Sequence, residues 1–127
     1  MVRVENVSKT YTKENVAALR DVTFDVEEGE FVTIVGQSGA GKSTLVRLLI
    51  AEEKPDQGRI VVNNWDVSLI KPKHIPMFRR QIGVVFQDFK LLEKKTAAEN
   101  VAFAMDVCGR PRREIKEQVP KILDIVI

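Results

Sequence analysis

The stretch "GQSGAGKST" places Gly36, Gly41, Lys42 and Ser43 at the spacing G-x-x-x-x-G-K-[ST], which suits the holding of phosphate. Glycines let the backbone bend until successive N–H groups converge on an anion, with no bulky side chain in the way. Gln37, Ser38, Gly39 and Ala40 complete the loop between the two glycines. Lys42 can reach the β and γ phosphates of a nucleoside triphosphate, Ser43 can ligate Mg²⁺, and Thr44 can donate to the α phosphate. A charge-assisted hydrogen bond is worth about 1.5–3 kcal/mol, against about 0.3–1 kcal/mol for an exposed helix terminus. Lys42 therefore outweighs the helix dipole alone.

The context expected for such a loop is a buried strand before it and a helix after it. "FVTIV", residues 31–35, leads into it and "KSTLVRLLIA" leaves it, with Leu45, Leu48 and Leu49 on one helical face. "FVTIV" and "IGVVF", residues 82–86, are nearly all apolar, as strands covered on both faces are, which predicts a parallel central sheet. "DVTFDV" alternates polar and apolar, and "RIVVN" follows the turn-like "KPDQG", so these predict an antiparallel region. Thr96 and Glu99 spell a capping box ahead of "NVAFAMDV", with Gly109 and Pro111 as stop signals. A last amphipathic helix carries Ile115, Val119, Ile122, Leu123 and Val126 on one face, with Pro120 expected to interrupt its hydrogen bonding.

Composition sets the frame. In 127 residues, 20 Lys+Arg nearly balance 18 Asp+Glu, which argues against nucleic acid as a partner. Cys108 is the single cysteine, so no intrachain disulfide forms and a cytoplasmic setting is expected. No apolar run reaches the roughly 18 residues of a membrane span, so any membrane connection must come through a partner. The basic residues Lys71, Lys73, Arg79, Arg80, Arg110, Arg112 and Arg113 are expected on solvated faces, and His74 on the surface.

With the loop in place, "VENVSKTY", "ALRDVTFDVEEGEFVTIVGQSGAGKSTL" and "RRQIGVVFQDFKLL" resemble, in order, the nucleotide-binding domain of ATP-binding cassette (ABC) ATPases. "IGVVFQDFKLL" and "ENVAFAM" look most like the bacterial cell-division members of that family. The resemblance implies an α/β fold, a P-loop NTPase core with an antiparallel β subdomain, and makes residues 1–127 the N-terminal part of one nucleotide-binding domain. It implies ATP and Mg as ligands. By position it gives Tyr11 the stacking against adenine, Val16 a place beside the base, and Gln87 an approach to Mg²⁺, so that Ser43 and Gln87 become the metal residues. Edge packing for Tyr11 and a solvated side chain for Gln87 are the competing readings. Phe89, Lys90, Leu91 and Leu92 occupy the segment that meets the membrane partner in the family, or they pack inward.

Hydrolysis in this family requires an apolar strand ending in Asp-Glu, an LSGGQ-type signature and a downstream histidine, none of which this sequence holds. The adjacent acids Glu27-Glu28 and Glu52-Glu53 lie outside that context. The chain is thus expected to be truncated before the Walker B strand, to contain no catalytic residue, to bind nucleotide without turnover, and either to self-associate through its C-terminal half or to be poorly folded alone. In full-length form the resemblance implies a head-to-tail homodimer. It would couple ATP hydrolysis to an FtsX-like integral membrane protein at the inner face of the plasma membrane. Alternatives are the ATPase of a related transporter for lipoprotein release, amino-acid import or efflux, a P-loop small-molecule kinase, and a non-catalytic nucleotide-dependent binding module.

Overall fold

The computed structural model describes residues 1–11 and 16–126, apart from the side chain of Val16. In chain order the elements are β1 (Val2–Tyr11), β2 (Val16–Val26), α1 (Lys42–Leu49), β3 (Gln57–Val62), β4 (Trp65–Asp66), a 3₁₀ turn (Pro72–His74), α2 (Ile75–Arg79), α3 (Ala97–Val107) and α4 (Arg112–Val126). They fall into two compact units, Met1–Ile82 and Gly83–Ile127.

In the first unit the strands form one antiparallel sheet in the order β2-β1-β3-β4. Val4 and Val7 of β1 are both fully buried although they are three residues apart, which a regular strand with its period of two does not allow. The spacing works because β1 breaks register with both neighbours between these positions, with Asn6 in a left-handed conformation at φ 49°. The Asn6 N–H donates to Thr23 Oγ1 (2.9 Å), and its Nδ2 donates to Asp21 Oδ1 (2.9 Å), which satisfies the irregular backbone. Helix α1 lays Leu45 and Leu48 against this sheet in a core that includes Ile60 of β3 and Phe78 of α2.

Residues 31–35 and 82–86 correct the expectation of a parallel central pair. Neither run is in a strand. Phe31 is 93% exposed, Val35 84% and Val85 96%. The physical reason lies in the hydrogen bond. A strand satisfies its N–H and C=O groups only on a neighbouring chain segment, so an apolar extended run without such a neighbour leaves both backbone and side chains to solvent.

In the second unit α3 begins on the expected capping box. Thr96 Oγ1 accepts from the Glu99 N–H (3.2 Å), while Glu99 Oε2 accepts from the Thr96 N–H (2.8 Å). It ends at Gly109, φ 76°, where the N–H groups of Gly109 and Arg110 turn back to the carbonyls of Asp106 and Met105. Helix α4 continues through Pro120. Of its apolar face, Val119 is buried and Ile115 and Leu123 are half-buried, whereas Ile122 and Val126 are exposed.

Candidate functional site

Helix α1 starts on Gly41, which sits at φ 85°, ψ 0°. A Cβ there would come 2.1 Å from the carbonyl oxygen of Ala18 and 2.8 Å from Cδ2 of Leu19, both on β2. Only glycine tolerates that backbone angle and that approach together, so the second glycine of the motif joins the loop to the sheet. Gly39, also left-handed at φ 81°, has nothing within 4 Å of a would-be Cβ.

The first bond that closes within α1 runs from the Leu45 N–H to the Gly41 carbonyl (2.9 Å), and no side chain caps the helix start. The preceding first-turn N–H groups, at Lys42, Ser43 and Thr44, therefore point out of the helix without an intrahelical acceptor, which is the arrangement that receives anions. Lys42 Nζ donates to the carbonyls of Gly36 (2.7 Å) and Gln37 (2.6 Å), folding its side chain back over the loop it belongs to. The Ala40 N–H closes a turn onto the Gln37 carbonyl (3.2 Å). Ser43 is exposed beside this loop, and its hydroxyl offers the hard oxygen that Mg²⁺ prefers. Thr44 is buried, at 8% exposure.

Tyr11, at the end of β1, comes to this helix. Its hydroxyl donates to both carboxylate oxygens of Glu53 (3.0 and 2.8 Å) and lies 3.4 Å from Thr44 Oγ1. Arg47 of α1 donates from Nη1 to Glu53 Oε1 (3.4 Å), and the Tyr11 hydroxyl is the first cause holding that guanidinium above its ordinary range. The structure thus brings Tyr11 together with Thr44. The side chain of Val16 lies outside the described residues. Gln87 belongs to the second unit, where it is exposed in a turn; the neighbouring Asp88 carboxylate is held below its usual range by Lys90. Phe89 and Lys90 are left-handed, and Phe89, Leu91 and Leu92 are exposed.

Two residues here make contacts that the sequence does not announce. By spacing, Glu53 is only half of an acid pair in the wrong context for hydrolysis. Arg79 is exposed, as expected, and in addition donates from Nε and Nη2 to the carbonyls of Ile50 (2.9 Å) and Ala51 (3.0 Å), just past the end of α1. There Ala51 takes φ 56°, and the N–H groups of Ala51 and Glu52 return to the carbonyls of Leu48 and Arg47. No spacing rule flags a left-handed alanine or an arginine 28 residues downstream of the carbonyl it meets. His74 is on the surface as expected, with its ring 6.4 Å from that of Trp65.

Residues 19–126 match the family model described as ABC transporter. The cell division ATP-binding protein FtsE of Bacillus subtilis is 49% identical over 126 residues, covering 99% of this chain and 55% of its own length. The methionine import ATP-binding protein MetN of Bradyrhizobium diazoefficiens is 42% identical over 130 residues, covering 99% of this chain and 38% of its own. The chain thus spans about half the length, or less, of the curated relatives it matches. Among solved structures, a dimeric ATP-binding cassette in a post-hydrolysis state, bound to ADP and Pi, superposes with a TM-score of 0.88 at 34% identity. It covers 98% of this chain and 56% of that one. A glycine loop mounted on an antiparallel sheet and a short helix, and a family match across most of the sequence, lead to one conclusion: the chain belongs to the ABC transporter family.

Proposed function

We propose that this chain is the Mg-ATP-binding part of an ABC-type ATPase of the cell-division kind, residues 1–127 being the N-terminal part of a single nucleotide-binding domain. The observation that carries the reading is the loop itself. Gly41 is pinned against Ala18, the first-turn N–H groups of α1 point outward, and Lys42 stands over the loop. Lys42 exchanges the carbonyls of Gly36 and Gln37 for the β and γ phosphate oxygens, and the amides of residues 37–44 receive the remaining charge. Thr44 serves the α phosphate, Tyr11 meets adenine, and Val16 lies beside the base. Ser43 would supply its hydroxyl oxygen to Mg²⁺, which would screen the phosphate charge.

The whole protein hydrolyses ATP as a head-to-tail dimer and couples closure to an FtsX-like membrane partner at the cytoplasmic face, a reading supported by the FtsE relatives. The segment at Phe89 to Leu92 is the side offered to that partner. The 127 residues alone bind nucleotide and do not turn it over. The MetN relatives support a second reading, an ATPase of amino-acid import. Co-purification of the full-length protein with an FtsX-like protein rather than an importer permease separates the two.

Calorimetry with ATP and magnesium tests the binding step. The chain gives a saturable heat, and Lys42→Ala lowers the affinity at least about tenfold, as loss of a charge-assisted contact requires. A flat trace from a well-folded sample, or an unchanged affinity in Lys42→Ala, removes the reading.

A further inference from the structure

We infer that Glu53 is the positioning residue for the base-binding ring: by holding the Tyr11 hydroxyl, it fixes that ring to the helix that carries the phosphate loop. The inference rests on the proposed reading that Tyr11 meets the base.

The geometry gives Glu53 this place. Its two carboxylate oxygens lie 3.0 and 2.8 Å from the Tyr11 hydroxyl, distances of a charge-assisted O–H···O⁻ bond. The carboxylate is itself steadied, because the left-handed turn at Ala51 brings the N–H groups of Glu52 (2.8 Å) and Glu53 (3.3 Å) back to the Arg47 carbonyl. Arg47 then contacts the carboxylate from the same helix (3.4 Å). Thr44, in the first turn of α1, faces the same hydroxyl at 3.4 Å. The first turn of this eight-residue helix and the segment just beyond its end therefore meet one phenol. The helix that orders the phosphate-binding amides also sets the angle of the ring.

The consequence is energetic. A tyrosine at a strand end would lose side-chain freedom when a base stacks on it, and a ring already tied down loses less, so the tether raises affinity for the base-bearing ligand only. Inorganic tripolyphosphate has the phosphates and no base. It reports on the loop alone.

The test measures affinities of the full chain for Mg-ATP and Mg-tripolyphosphate by calorimetry. Glu53→Ala and Tyr11→Phe each weaken ATP about threefold to tenfold and leave tripolyphosphate within about twofold. The double variant Tyr11→Phe/Glu53→Ala is no weaker than either single one, since the two groups act through one bond. Glu53→Gln, whose amide oxygen still accepts from the phenol, restores most of the lost ATP affinity. Equal losses for both ligands in Glu53→Ala would reduce Glu53 to support of the loop and overturn the inference, as would unchanged ATP affinity or strictly additive losses. Tyr11→Ala separates the two levels. If it leaves the ratio of ATP to tripolyphosphate affinity untouched, the base reading fails and the inference with it; if it lowers that ratio while Glu53→Ala does not, only the inference fails.

Discussion

Residues 31–37 and residues 42–49 flank the same glycine loop, yet their surroundings are opposite. The helix side is packed: Leu48 is fully buried, Leu45 and Thr44 nearly so, and Gly41 lies against Ala18. On the other side every residue from Phe31 to Ala40 is exposed, although "FVTIV" is the more apolar of the two sequences. Apolarity does not decide the matter. A helix closes its backbone hydrogen bonds within itself and needs only one face covered, whereas an extended segment needs another backbone alongside before its side chains can be buried. The half of the loop that rests on α1 is therefore rigidly built, and the other half takes its order from Lys42 and the Gln37 turn.

Amide exchange should show the largest contrast. Val32 and Ile34 exchange at nearly unprotected rates, while Leu48 is slowed on the order of a thousandfold or more. Comparable protection in both would mean that the extended segment has found a partner. Next in size is the contrast between the two left-handed glycines. Gly41→Ala meets the Ala18 carbonyl and costs about 1–3 kcal/mol in overpacking, besides about 1–2 kcal/mol for the left-handed backbone. Gly39→Ala pays only the latter. Denaturant titration of the two variants measures the difference, and equal costs would show that the contact with β2 does not anchor the loop.

The far end of α1 sharpens the point. Arg79→Met removes two donors from the carbonyls of Ile50 and Ala51 and should cost about 1–3 kcal/mol. The neighbouring Arg80→Met should stay within about 0.5 kcal/mol, as surface substitutions do. A cost for Arg80 equal to that for Arg79 would count against this capping role.

The smallest effect lies at α3, where the ends of the helix are satisfied locally. Thr96→Ala should cost about 0.5–2 kcal/mol. The Glu99 carboxylate is held below its usual range, first by the Thr96 N–H and then by Lys95. That depressed value stabilises the folded form above the ordinary carboxylate pKa of about 4.3, and the contribution is lost as pH falls through the lower folded value. Urea titrations from about pH 6 down to about pH 3 should show this loss for the native chain, and a flatter response for Glu99→Gln.

Much of the site was legible because its parts are local in sequence. Loop, helix start and capping box each depend on residues within a few positions of one another, and spacing rules read such patterns directly. Apolar content alone does not predict a parallel pair, because burial on both faces also needs a paired backbone, and neither run is a strand among the described residues. The contacts of Glu53 and Arg79 escape spacing rules for a related reason. Their partners, Tyr11 and the end of α1, lie 42 and 28 to 29 residues away in the chain.

What the sequence determined by itself is a glycine turn opening a helix, with a lysine placed over it, since those follow from backbone freedom and residue spacing. Only the tertiary structure decided that Gly41 must be glycine for the sake of Ala18, that β1 slips register to bury both Val4 and Val7, and that Tyr11 hangs from Glu53. Each of these is a contact between groups far apart along the chain, and a pairwise distance in space has no counterpart in the order of residues until the sheet has formed.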